Sequence, residues 1–366
     1  MITDIRGVNT HNKGAHLMLS SITRQLPDKT TKATSPNGAT YADRAALGLR
    51  QTFVLDQAAR LTGVTGSLIP ERLADMFGLA RMKDISGVLD ASGFAYSDSF
   101  GALRARREAS LVPLWRRNGT VRIFLPQAFG PFVDDDTARY SRELLKDADL
   151  IYARDQISLN HLDRLGIDAS IVRICPDFTV LETGINCRES PQEPAGIFVP
   201  NSKLITHGGQ SEREYIASAQ RVLRTFTDMG LRSVVAPHES TDVRLAHLIV
   251  DGTEADTFWA ANPLEIKGFL AAAEVVVGSR FHALVGALSS GRPTVGLGWS
   301  HKYDELFADY GVPQWVASNG EDLSEFVRYV IQDQAGLEQV RRRGAEIKGQ
   351  VSEMWRQVNE TLGSAV

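Results

Sequence analysis

Val275-Val276-Val277-Gly278-Ser279-Arg280-Phe281-His282-Ala283-Leu284 sets an apolar run against a Gly-Ser turn and then a small-residue segment that continues to Ser289. An apolar run of strand length followed by a turn and an Ala- and Leu-rich stretch reads as a buried parallel strand feeding a helix. That backbone places a helix N-terminus, with free N–H groups and the positive end of the dipole, at Ser279, Arg280 and His282. Arginine adds a two-pronged donor for carboxylate or phosphate, and histidine moves a proton near neutral pH. The bland alternative makes Arg280 a salt bridge at a cleft rim and His282 a satisfied core histidine. Position favours a ligand site, because parallel α/β sheets bind their ligands beyond the carboxyl ends of strands.

The next stretch, Gly291 to Lys302, repeats the logic: a buried strand, Thr294 to Leu297, runs into glycine and presents Ser300, His301 and Lys302 at a rim. Lys302 is a phosphate contact by position; alone it reads as a solvated lysine. Further strands are expected at Gly196 to Val199, Arg232 to Ala236 and Glu274 to Val277, with helices at Ser211 to Met229 and Leu264 to Ala273. The first half shows the same alternation. Its strands are Gly87 to Asp90, Val121 to Leu125, Leu150 to Ala153 and Ile171 to Ile174, and its helices Thr137 to Lys146 and Gln156 to Leu165. The fold class is α/β with two Rossmann-like lobes built on parallel sheets. Glu182 to Pro194 loses all periodicity and gathers Pro, Glu and Gly. The expected division is a first lobe over 1–183, a linker over 184–194, a second lobe over 195–335 and a C-terminal helix over 336–366. Ile347, Val351, Met354, Trp355, Val358 and Leu362 form an apolar stripe on that helix. Core packing is expected of it, with a membrane-surface or partner-binding role as the alternative.

Composition narrows the function. The 366 residues are 43% hydrophobic and 23% charged, with a net charge of −4 and no long basic run, so no nucleic-acid partner is expected. Cys175 and Cys187 have no metal-ligand spacing. Asp134-Asp135-Asp136 are successive and cannot converge on one cation without a defined loop. Neither a metal nor a cofactor is expected. The polar N-terminus lacks a signal-peptide core, and no apolar run reaches spanning length, which points to a cytoplasmic protein.

Five stretches carry a family resemblance: R-G-V-N-T-H-N-K-G-A-H-L-M-L at Arg6 to Leu19, L-P-Q-A-F-G-P-F at Leu125 to Phe132, and Y-A-R-D-Q-I-S-L-N-H-L-D-R-L-G-I at Tyr152 to Ile167. The other two are S-R-F-H-A-L-V-G-A-L-x-x-G-R-P-T-V at Ser279 to Val295 and W-S-H-K-Y-D-E-L-F at Trp299 to Phe307. In order and spacing the chain resembles the polysaccharide pyruvyl transferase family along nearly its whole length. The resemblance implies lobes arranged like the B-type glycosyltransferases, phosphoenolpyruvate as donor, and a pyruvyl ketal on two sugar hydroxyls as product. It matches Arg154, Arg280 and His282 to donor positions. One departure is the run Asp90-Ala91-Ser92-Gly93-Phe94-Ala95-Tyr96-Ser97-Asp98, where many members carry successive glycines.

The implied chemistry assigns roles. Phosphoenolpyruvate carries a phosphate and a carboxylate, so Arg154, Ser279, Arg280 and Lys302 become the donor contacts, facing one predicted cleft between lobes. A proton must reach the methylene carbon before a hydroxyl can attack C2, and His282 is the candidate acid. The same residue or a first-lobe carboxylate, Asp90 or Asp98, accepts hydroxyl protons, though a strand-end Asp often only caps the next turn. Asn12 and Lys13, in the polar loop Asn9 to Gly14, are acceptor-side candidates together with Asp98 and Gln127. Asn12 has helix capping as its plain alternative. His238-Glu239 could supply another acid or base. The acceptor is a sugar, with a lipid-linked oligosaccharide as one form, and peripheral membrane association stays open. The oligomeric state is not legible. Two competing functions are a glycosyltransferase using a nucleotide sugar, since fold does not fix function, and a silent polysaccharide-binding protein. The scattered Trp residues and the Arg280 and His282 pair speak against the latter.

Overall fold

The computed structural model describes residues 1–53, 69–186, 193–207, 211–298, 301–318 and 321–364, with backbone alone at His207 and His301. Ser300, Cys187 and residues 187–192 of the expected linker lie outside the described residues, as does the His301 side chain. The chain forms two compact units, Met1–Phe178 with Gln350–Val366, and Thr179–Gly349.

The first unit has nine described strands: β1 Ile2–Arg6, β2 Thr31–Thr34, β3 Leu49–Thr52, β4 Leu79–Ala80, β5 Ile85–Asp90, β6 Phe94–Tyr96, β7 Val121–Phe129, β8 Leu150–Ala153 and β9 Val172–Ile174. Their order is β4-β3-β2-β1-β5-β7-β8-β9, with β6 on β7, and every described pairing is parallel. Such a sheet is covered on both faces, which is why β5, β7 and β8 are almost wholly buried. β7 runs past the expected end at Leu125, so Gln127 lies within the strand and not after it. Pro126 has no N–H for a ladder, and the register shifts between Phe124 and Gln127 to accommodate it.

The second unit contains β10 Ala195–Val199, β11 Arg232–Val235, β12 Asp256–Thr257, β13 Val275–Gly278 and β14 Thr294–Gly296. All pairings are parallel in the order β12-β11-β10-β13-β14. Ala195, Ile197, Val234, Val276 and Phe269 belong to its core. Residues 179 to 183, expected in the first lobe, and 184 to 186, expected in the linker, belong instead to this unit: Ile185 N–H donates to the Leu264 carbonyl at 2.9 Å, and Gly184 has no room for a Cβ against Gly268. Backbone pairing gives this aperiodic stretch a fixed place that periodicity could not reveal.

A helix of 30 residues, Gln334–Gly363, begins in the second unit, and its last turns belong to the first. Val351, Met354, Trp355, Val358 and Leu362 are buried in the first unit. Trp355 meets Phe178 edge to face at 5.8 Å, and Leu362 fills the space above Gly87. The stripe is core.

Both sheets are doubly wound. In the first, the chain runs outward from β1 to β4 and returns to pair β5 with β1. In the second it runs from β10 to β12 and returns to pair β13 with β10. Where the winding reverses, the two following loops part and leave a crevice at the carboxyl ends of the strands. These switch points fall at Arg6 with Asp90 in the first sheet and at Val199 with Gly278 in the second.

Candidate active site

At the second switch point, Gly278 pairs with Val199 so closely that a Cβ would sit 2.8 Å from the Val199 carbonyl oxygen. The close approach carries the chain into the turn at Ser279 and Arg280 and the helix Phe281–Ser289. Arg280 is the N-cap residue in extended conformation, and its side chain makes no capping hydrogen bond. The first turn of this nine-residue helix, with the positive end of its dipole, therefore stands at the carboxyl end of the sheet. The Ser279 carbonyl is fixed by Asn201 Nδ2 at 2.8 Å and by the Tyr303 hydroxyl at 2.7 Å. Ser279 Oγ is buried and has no hydrogen-bond partner among the described residues.

Arg280 makes the salt bridge that the bland alternative anticipated, to a residue not anticipated. Its Nε donates to Asp242 Oδ2 at 2.7 Å and its Nη2 to Asp242 Oδ1 at 2.6 Å. The arginine side chain keeps 12% of its surface exposed, while that of Asp242 is fully buried. The bond therefore orients the guanidinium without hiding it. His282 follows on the first turn, its ring edge to face with Phe281 at 5.6 Å. Lys302 belongs to the same group: its Nζ lies 5.9 Å from the Phe281 ring centroid and 5.0 Å from that of Tyr303. Aromatic faces hold an ammonium in place while leaving it charged. His238 and Glu239 are buried at the end of β11, with Nδ1 and Oε1 3.4 Å apart.

At the first switch point, Asp90 is buried at the end of β5 and accepts from Ser92 N–H at 3.1 Å, Ser92 Oγ at 2.6 Å, Tyr96 hydroxyl at 2.7 Å and Gln127 Nε2 at 3.2 Å. Burial and the neighbouring Asp90 charge push the Tyr96 hydroxyl well above its ordinary pKa, so it stays protonated and donates. Gly7, with a φ of +83°, leaves no space for a Cβ beside Ser92. Arg104 Nη2 donates to Ser92 Oγ at 3.0 Å. Arg154 follows β8 and donates its backbone N–H to the Gln127 carbonyl at 3.0 Å. Asp90, Gln127 and Arg154 thus share one end of one sheet. Gln127 Oε1 is buried without a partner among the described residues.

The remaining candidates take local roles. Asn12 caps the helix Lys13–Gln25 by accepting from Ala15 N–H at 2.9 Å, and Lys13 is buried in its first turn. Asp98 accepts from Val133 and Asp134 N–H at 2.7 and 3.3 Å, which ties it to the loop before the next helix. Asp134 caps that helix through Thr137, and Asp136 pairs with Arg139. Asp155 caps Gln156–Arg164 through Ser158 N–H, and Ser158 Oγ accepts from Phe129 N–H. Sequence reasoning missed Asp242, Asn201, Tyr96 and Arg104. Asp242 carried a faint signal as an acid in the loop after a strand; Asn201 is 78 residues from the Ser279 carbonyl it holds, while Tyr96 and Arg104 lie 6 and 12 residues from their partners Asp90 and Ser92.

Two doubly wound parallel sheets, each with polar groups gathered at its switch point, define the class shared with the B-type glycosyltransferases. Solved structures of the same fold include Anabaena HepE in complex with UDP, with a TM-score of 0.59 and 14% identity over 99% of both chains. The spinosyn rhamnosyltransferase SpnG gives 0.58 and 15% over 98% of this chain and 100% of its own. A UDP-N-acetylglucosamine 2-epimerase gives 0.56 and 12% over 93% and 90%. No curated protein matches the chain in sequence. The polysaccharide pyruvyl transferase family model matches residues 12–301, and the chain belongs to that family.

Proposed function

We propose that the protein takes phosphoenolpyruvate as donor and builds a pyruvyl ketal on two hydroxyls of a sugar, releasing phosphate. The observation that carries the reading is the start of the helix Phe281–Ser289 at the switch point, with Arg280 oriented there by Asp242 and the Ser279 hydroxyl beside it. N–H groups, a guanidinium and the Lys302 ammonium suit a small anion carrying both phosphate and carboxylate. His282, on the first turn of that helix, delivers a proton to the methylene carbon, which becomes the methyl group. C2 then accepts a first sugar hydroxyl, whose proton passes to a base. The second hydroxyl displaces the phosphate: the C2–O bond breaks, and the phosphate leaves with that oxygen, the bonding electron pair and the last proton. Of the two hydroxyl protons, one replaces that spent on the methyl carbon, so no oxidant or reductant enters the balance.

In this reading the first unit receives the sugar. Gln127 presents its side-chain carbonyl, and Asp90, occupied by four hydrogen bonds, fixes Gln127 and Tyr96 in place. Arg154, expected from the resemblance as a donor contact, stands at that same end of the sheet. A cytoplasmic location fits the donor, and a lipid-linked acceptor would bring the protein to a membrane surface, although no helix among the described residues is long and apolar enough to cross one.

Thermal unfolding with each donor in turn separates the readings. Phosphoenolpyruvate at 100 times its Kd should stabilise the native protein by about 2.7 kcal/mol and raise the Tm by a few degrees. UDP-glucose should leave the Tm unchanged. A rise with UDP-glucose alone would establish the nucleotide-sugar reading instead.

A further inference from the structure

Asp242 lies in the turn Ser240–Asp242 after β11, and its side chain is fully buried. It accepts four hydrogen bonds. Two come from Arg280, and two from Ser202, whose N–H and Oγ reach Oδ1 at 3.0 and 2.9 Å. Ser202 follows β10 and Arg280 follows β13, so one carboxylate joins the loops beyond three adjacent strands at the switch point. A buried carboxylate with a bidentate arginine and two further donors is fully satisfied, which is the condition under which such a pair is held rigidly.

We propose that Asp242 is a positioning residue for the donor: it aims the Arg280 guanidinium before the anion arrives and does not touch the anion itself. The inference rests on the donor reading given above. A free arginine must give up its rotamer freedom on binding, whereas one already held on two of its nitrogens gives up little. Ser202 serves as the brace that keeps Asp242 Oδ1 turned toward Arg280.

The test compares Asp242→Asn, Asp242→Glu and Ser202→Ala in the full chain, with phosphoenolpyruvate affinity by calorimetry, a split of KM from kcat, and circular dichroism for the fold. Asp242→Asn keeps the shape but turns an amide N–H against one arm of the guanidinium, so Kd and KM for phosphoenolpyruvate should rise about tenfold or more, with kcat changed far less. Asp242→Glu should recover part of that loss, and Ser202→Ala should raise Kd about threefold. In an Arg280→Lys background, Asp242→Asn should change Kd by no more than about twofold, because the group it aims is gone. A folded Asp242→Asn with unchanged Kd would overturn the assignment. If that variant does not fold, Ser202→Ala decides, and an unchanged Kd there overturns it equally. An unaltered chain that binds no phosphoenolpyruvate would instead remove the donor reading, and this inference with it.

Discussion

His282→Asn should bind phosphoenolpyruvate nearly as well as the unaltered protein and turn it over about 10² to 10⁴ times more slowly. Asparagine keeps roughly the volume of imidazole and some of its hydrogen bonding, so the first turn of Phe281–Ser289 should keep its geometry. What it cannot do is release a proton near neutral pH. The step that fails should be protonation of the methylene carbon, and this has its own signature. In deuterated water the unaltered enzyme should place solvent deuterium in the methyl group of the ketal, whereas the variant should form deuterated product only at the lowered rate and show no faster exchange into the donor. Turnover within a few-fold of the unaltered rate would move the acid elsewhere, with His238 the next group at the same end of the sheet.

Arg280→Ala should raise the Kd for phosphoenolpyruvate roughly 100-fold or more, the loss of two charge-assisted hydrogen bonds. It should also cost stability. Asp242 would keep its two bonds from Ser202 but lose its cation while fully buried, at a cost of about 3 kcal/mol. The two consequences separate in Arg280→Ala with Asp242→Ala. The double variant should regain much of the Tm and none of the donor affinity. Chemical denaturation and calorimetry on the same preparations decide it, and an affinity that returned along with the Tm would make Arg280 a structural residue.

The fold was legible because parallel sheets bury both faces of their strands. Val275 to Val277 and Leu150 to Ala153 read as unbroken apolar runs, and the structure gives them strands at those places. β7 was cut short at Leu125, because Pro126 ends an apolar run in sequence but is absorbed by a register shift in the sheet. Glu182 to Pro194 reads as aperiodic, and its described start is nevertheless fixed by backbone bonds at Glu182 and Ile185, which leave no periodic trace.

The site was legible in part. Arg280, His282 and Ser279 sit where a strand turns into a helix, and that turn is a local feature of one short stretch. Asp242 was not, since its partner Arg280 lies 38 residues on in the chain and only strand order brings them together. Asp90 and Gln127 stand out in sequence as residues at or after strand ends; that they bond to each other follows from the pairing of β5 with β7. Asn12 was equally visible as a cap and as a contact, and its side chain is a cap.

The most direct measurement is incubation of the full-length protein with phosphoenolpyruvate and a panel of lipid-linked and nucleotide-linked sugars, following phosphate release and product mass together. The account predicts one phosphate released for each pyruvyl ketal gained, only when an acceptor is present. Transfer of a glycosyl group from a sugar nucleotide, with phosphoenolpyruvate left intact across the panel, would contradict it.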